Sequence, residues 1–250
     1  MKLERGNIMQ TLKKLSLSWE EVSARYPKER PTLPEAYQQI YNEHYSNNRN
    51  GKTKVTFFSS KVEGWMHRKV AQDTIEQDDL VTLEIGAGTL NQLKFEKTKC
   101  YDIVEPFRML YEQADQYSRI RNAYADISEV VRGKGGYDRI TAIAAFEHIC
   151  NLTEVVEQCT YLLKPGGCLR VAIPNEGRFL WKVAYEMTTG LEFRHRYHLA
   201  YSTMMHYEHV NTADEIETIL MHYFPAVKMS LAGITRDLAL FRYYECTNNK

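Results

Sequence analysis

The apolar run Leu80-Val81-Thr82-Leu83-Glu84-Ile85 passes directly into Gly86-Ala87-Gly88-Thr89, and this junction restricts the chain to few folds. A strand that ends in a glycine turn presents backbone N–H groups unshielded by side chains, at the edge where open α/β sheets bind ligands. Beyond the turn, short apolar runs alternate with helical segments, the pattern of a mostly parallel sheet with crossover helices. It predicts strands at Leu80-Ile85, Lys99-Val104, Ala123-Ala125, Arg139-Ala144 and Cys168-Ile173. Helices are expected over Pro106 to Tyr117, Ile127 to Arg132 and Leu152 to Leu163. Leu163-Lys164-Pro165-Gly166-Gly167 stops the last of these and turns the chain into the next strand. A helix over Thr212-Tyr223 and strands near Val227-Ala232 and Leu238-Cys246 complete the set.

Residues 1–79 read differently, as a helical cap or lid ahead of a domain spanning 80–250. Leu12, Leu15, Trp19 and Val22 recur at helical spacing, and Pro27, Pro31 and Pro34 then punctuate the chain. Further helices are expected over Glu35 to Tyr45 and Ser60 to Gln77, separated by the turn-forming run Ser46 to Gly51. Trp65 and Met66, like Tyr41 and Tyr45, suit either a lid or a packed core. An insertion at 177–210, rich in aromatics and histidines, fits neither period cleanly.

The 44% apolar content supports an ordinary core, and 32 basic against 32 acidic residues give no global field toward nucleic acid or an anionic membrane. No stretch approaches the apolar length of a membrane span, and the first residues lack an apolar signal region, so a cytoplasmic protein without membrane insertion is expected. Five scattered cysteines without a Cys-x-x-Cys pair point to reduced thiols.

A bare Gly-x-Gly serves equally as a structural turn, so its surroundings decide. The second strand ends in Tyr101-Asp102-Ile103-Val104-Glu105, which sets a carboxylate about twenty residues on, where a ribose diol is held. The dinucleotide fingerprint needs a small residue where Asn91 stands, which disfavours a nicotinamide cofactor. Here the sequence resembles the class I methyltransferases that use S-adenosyl-L-methionine, through Glu84, Gly86 and Gly88. Ala125-Asp126-Ile127, Phe146-Glu147-His148-Ile149 and Leu163-Lys164-Pro165-Gly166-Gly167 resemble later motifs of that family, in order.

The resemblance implies a doubly wound seven-stranded, mostly parallel sheet with a reversed last strand. It also implies a donor site in which Glu84, Gly86, Ala87 and Gly88 line the methionine and ribose portion. Glu105 with Pro106 would meet the ribose hydroxyls, Asp126 and Ile127 the adenine, and Phe146 would close the pocket. Asp126 serves equally as a helix N-cap. The segment after Gly88 is short, so the first crossover helix must be abbreviated, and Leu90 stands where many relatives have glycine. Among small-molecule methyltransferases, it resembles those of bacterial surface-polysaccharide synthesis.

Methyl transfer is an in-line displacement, so the protein's tasks are alignment and exclusion of water. His148 is the candidate general base, needed for a neutral hydroxyl and dispensable for an anionic oxygen. Arg178, Arg194, His195, Arg196 and His198 are candidate acceptor contacts, suited to an anionic or hydroxyl-rich small molecule. His195/His198 and His206/His209 raise a metal reading by their spacing, but no carboxylate-rich partner motif accompanies them and no metal is expected. The expected activity is O-methylation of a sugar or sugar-nucleotide. A phosphorylated metabolite as acceptor, or a donor-binding regulatory protein without turnover, is the alternative, and a homodimer is allowed.

Overall fold

Parallel strands with both faces covered are largely apolar, and the central ones here are, apart from buried polar residues such as Glu84 and Arg139. The computed structural model describes residues 17–41, 57–75, 77–130 and 135–248, without the side chains of 57–63 and 75. In chain order its elements begin with helices α1 (Trp19–Ser23), α2 (35–41) and α3 (Phe57–Val70). Strands β1 (Thr82–Ile85) and β2 (Tyr101–Val104), the one-turn helix α4 (Arg108–Tyr111), β3 (Ile120–Tyr124) and β4 (Tyr137–Ile143) follow. Next come α5 (Leu152–Leu162), β5 (Leu163–Pro174), α6 (Phe179–Tyr185), α7 (Leu191–Tyr197) and α8 (Tyr201–Glu208). Helix α9 (Ala213–Tyr223), β6 (Ala226–Gly233) and β7 (Ala239–Thr247) end the chain.

The seven strands form one sheet in the order β3-β2-β1-β4-β5-β7-β6. β1 to β5 are parallel, while β7 runs antiparallel to both neighbours. This is the expected sheet with a reversed last strand, and its order reverses at β1, which opens a crevice at the carboxyl ends of β1 and β4. One face packs Leu83, Ile85, Ile140 and Val171 against Val155 and Val156 of α5 and Ile216 and Ile219 of α9. Against the other lie Met66 and Val70 of α3, with Ile143, Ala172 and Tyr243. Met66 is therefore core.

Several boundaries differ from the sequence expectation for local reasons. The helix expected over Pro106 to Tyr117 closes after one α-turn. The chain continues through three-residue turns, with Ala114 N–H donating to the Tyr111 carbonyl and Tyr117 N–H to that of Ala114. Only the single turn Ile127–Glu129 forms where Ile127 to Arg132 was expected, and Arg132 lies outside the described residues. The Lys164-Pro165-Gly166-Gly167 segment bulges within β5, whose register against β4 shifts between Tyr137 and Arg139.

The insertion is helical, comprising α6, a π-turn at Glu186–Gly190, α7 and α8. Its periodicity was obscured because Phe193 and Met204 pack on Leu33 and Tyr37 of the N-terminal segment, not on the sheet. Tyr41 meets Tyr207 edge to face at 5.3 Å in the same cluster. Leu12, Leu15, Tyr45 and the run Ser46 to Gly51 lie outside the described residues. Among the described residues no helix is long and apolar enough to cross a membrane.

Candidate functional site

The turn after β1 is shaped by two glycines with different surroundings. Gly86 has φ +69°, and a Cβ there would lie 2.6 Å from the Cβ of Ala145 after β4, so the turn and the β4 loop touch. Gly88 has φ +49°, and a Cβ there would meet nothing within 4 Å. Leu90 also takes a left-handed backbone, φ 62°, and is fully buried, so this chain meets the conformation without a glycine there. The first crossover is a single 3-10 turn, Asn91–Lys94, abbreviated as expected.

Glu105 staples this turn to the end of β2. Its Oε2 accepts from Gly88 N–H at 2.9 Å and its Oε1 from Phe107 N–H at 3.0 Å, in a buried setting. Pro106 is exposed beside it. Asp126 caps the turn after β3 by accepting from Ser128 N–H at 2.9 Å, while Ile127 is buried in the core. Gly86, Ala87, Gly88, Glu105, Pro106, Asp126 and the residues after β4 are thus brought together along one carboxyl edge. Phe146 departs from its expected place: its ring is fully buried in the core, so it supports the β4 loop from below and does not wall the crevice.

Glu84 lies in mid-strand beneath the turn, almost fully buried, and accepts from the Tyr101 hydroxyl at 2.9 Å. Burial, reinforced by the Glu96 carboxylate and opposed by the Tyr101 hydrogen bond and Arg139, pushes its pKa from 4.5 up to about 8. Between these values the unfolded chain loses the proton that the folded chain keeps, so stability falls as pH rises through this window and levels off above it. Glu84→Gln should therefore flatten the fall and raise stability at pH 8 by about 1–3 kcal/mol, since each tenfold change in proton affinity is worth about 1.36 kcal/mol. Urea unfolding at pH 5, 6.5 and 8 checks this, and parallel curves for both proteins would refute it.

Beside the glycine turn, the loop after β4 carries Glu147 and His148. Asn211 holds that loop by donating from Nδ2 to the Phe146 carbonyl at 2.7 Å and to the Ile149 carbonyl at 2.8 Å. Val210 and Asn211 N–H donate to the Glu147 carbonyl, and Arg30 Nη2 donates to the His148 carbonyl at 2.6 Å. This clamp brings His209 against His148, ring centroids 4.9 Å apart. His148 Nδ1 lies 2.9 Å from the Glu208 carbonyl and its Nε2 3.8 Å from Glu147 Oε1. His209 Nδ1 lies 2.7 Å from Oε2 of Glu176, just past β5, and Trp181 Nε1 donates to the same oxygen at 2.8 Å. Burial raises the Glu176 carboxyl, but these partners outweigh it and hold it below the ordinary range. Burial of Glu147 is less well offset, and its carboxyl is raised.

The basic candidates of the insertion stand elsewhere. Arg178 forms ion pairs with Asp237 at 2.8 Å and with Asp214, which tie its guanidinium to α9 and the β6–β7 turn. Arg194, His195, Arg196 and His198 are exposed on and just after α7. Arg194 lies 3.5 Å from Glu186, and Arg196 stacks over Tyr197. His206 Nδ1 faces the Ser202 carbonyl at 2.7 Å, so neither His-x-x-His pair acts as a unit. Sequence reasoning missed Glu147, Glu176 and Asn211. The one signal was that Glu147 adjoins His148.

The sequence matches no protein-family model, and none of the curated proteins matches it. Solved structures do. A methyltransferase of Thermotoga maritima dependent on S-adenosylmethionine is 16% identical with a TM-score of 0.53, over 76% of this chain and 96% of that one. Another from Archaeoglobus fulgidus is 12% identical with a TM-score of 0.54, over 74% and 94%. A Haemonchus contortus phosphoethanolamine N-methyltransferase in complex with S-adenosyl-L-methionine is 11% identical with a TM-score of 0.51, over 74% and 53%. At these identities the likeness establishes a Rossmann-like methyltransferase fold.

Proposed function

We propose that this chain is an enzyme that transfers a methyl group from S-adenosyl-L-methionine to a small acceptor through a hydroxyl oxygen, a sugar or sugar-nucleotide being the leading class. The observation that carries the reading is the Gly86-Ala87-Gly88 turn stapled by Glu105 at the point where the strand order reverses. A carboxylate has about four acceptor directions, so two remain after Gly88 and Phe107 for a ribose diol. Gly88 leaves open space for close approach of a ligand, and Ala87 shares the turn. Asp126 stands at the next strand end for the adenine side, its N-cap role being compatible with that contact.

A hydroxyl acceptor is favoured over an anionic one by where the charges lie. Arg178 is already paired, and the Arg194 to Arg196 stretch is a solvated helix face, whereas Glu147, His148 and His209 converge beside the glycine turn. A neutral hydroxyl needs help to lose its proton, and this cluster is where such help would act. Nicotinamide is disfavoured by Asn91, which opens the short 3-10 turn where a packed helix would be required.

Calorimetry with S-adenosylmethionine, its demethylated product and NAD tests the donor directly. Binding of the first two and not the third is expected, and the reverse would remove the reading. Glu105→Ala should weaken donor binding by about 1–3 kcal/mol, the worth of a hydrogen bond to a charged acceptor. Unchanged affinity in a folded variant would take Glu105 out of the ribose role.

A further inference from the structure

We infer that Glu147, His148 and His209 bind one divalent transition-metal ion, whose open coordination positions take the acceptor's hydroxyl oxygen. The acceptor part rests on the methyl-transfer reading above; the metal site stands without it. Each of the three residues offers one ligand atom, and all three atoms lie within 4.8 Å of one another. Ligand atoms on a tetrahedral ion with bonds of about 2.1 Å lie about 3.4 Å apart, so closing the widest pair takes up to about 1.4 Å, shared between two side chains.

Two independent features point to a cation here. Glu147 is 1% exposed, and its Oε2 is buried without a hydrogen-bond partner. Its Oε1 is 3.8 Å from His148 Nε2, too far for a hydrogen bond. A buried carboxylate oxygen left without a donor is costly unless a cation meets it. The imidazoles are also set in the manner of ligands. The Glu208 carbonyl can only accept, so His148 carries its proton on Nδ1, and the Glu176 carboxylate fixes the same tautomer in His209. Nε2 is thus the ring nitrogen of each left to face an ion, and an oxygen acceptor behind Nδ1 is the usual outer support of a metal-bound histidine. Trp181 and Gly177 N–H fix Glu176 in turn.

Two imidazoles and one carboxylate suit zinc, cobalt, manganese or iron more than magnesium, and three protein ligands leave room for substrate. At such an ion an acceptor hydroxyl is acidified and its proton leaves to water. The oxygen then bonds to the sulfonium methyl carbon as the carbon–sulfur bond breaks, its electron pair remaining on sulfur as the thioether. In this arrangement His148 is a ligand, and the ion supplies the activation that a general base would otherwise provide.

The test is titration of the chelator-treated full chain with Co²⁺, followed by its visible absorption. One equivalent should bind with a dissociation constant of about 10⁻⁶ M or tighter, the bands expected of nitrogen and oxygen ligation appearing together with it. His209→Ala and Glu147→Gln should each weaken uptake at least about 100-fold, and Glu176→Gln about 10–100-fold, as losses of outer support do. Acetohydroxamate, a bidentate oxygen ligand, should shift the bands; unmoved bands would mean closed coordination and overturn the acceptor role. Circular dichroism establishes that each variant is folded, and His209→Gln replaces His209→Ala if the latter is not. No stoichiometric uptake, or uptake indifferent to His209, overturns the site. Donor binding is measured on the same metal-free samples. Donor binding without metal uptake refutes this inference alone, whereas metal uptake without donor binding supports the site and refutes methyl transfer.

Discussion

Arg139→Met should cost about 3–5 kcal/mol of stability, the usual consequence of removing one partner from a buried ion pair. Arg139 is fully buried on β4 and bonds Glu96 through both terminal nitrogens, at 2.7 and 3.1 Å. Its Nε lies 3.2 Å from Asp73, and Nη2 donates to the Val70 carbonyl at the end of α3. Arg170 on β5 reaches the same carbonyl through Nε at 2.8 Å. Two strand arginines thus satisfy the carboxyl terminus of α3, where cations are favoured by the orphan carbonyls and the helix dipole. Without Arg139 the Glu96 carboxylate is left buried, with Gln92 Nε2 at 2.5 Å. Urea unfolding measures the loss. Arg139→Met with Glu96→Leu should recover most of it, since no unpaired charge is stranded; a double variant as unstable as the single one would locate the cost in packing instead.

That network also marks where the sequence stopped being informative. Strand positions in the centre of the sheet were legible because both faces are covered and the runs are largely apolar. Asp102, Arg139, Arg170 and Arg242 were not, because a charge within a strand normally signals a solvent face, while here each is buried against a partner from a distant segment. The glycine turn and Glu105 were legible because local backbone geometry and a fixed offset define them. The Glu147, His148 and His209 grouping was not, since Asn211 and Arg30 assemble it across segments that no spacing rule connects. Composition told less at Arg178 and Arg194 to Arg196. Their charge density suggested an acceptor clamp; in the fold Arg178 pairs with Asp214 and Asp237, Arg194 lies near Glu186 and Arg196 lies over Tyr197.

Gly88→Val should reduce donor affinity at least about a hundredfold while the protein stays folded, and its contrast with Gly86→Ala separates ligand space from packing space. At Gly88 the left-handed backbone strains any β-branched side chain by about 1–2 kcal/mol. Leu90 and Ala144 already hold positive φ in this region, so the fold can bear that strain. The added atoms meet no protein atom near the Cβ, and enter the space where backbone would approach the donor; the turn would also present Gly88 N–H to Glu105 less well. At Gly86 even one methyl lands 2.6 Å from the Ala145 Cβ. Both atoms are fixed by backbone, so the turn or the β4 loop must move, at about 1–3 kcal/mol. Gly86→Ala should thus lose stability, and Gly86→Ala with Ala145→Gly should regain part of it. Calorimetry with the demethylated donor, alongside urea unfolding of the same samples, reads both effects. Parent-like donor binding in a folded Gly88→Val protein would move the ligand away from this turn, and with it the proposed function.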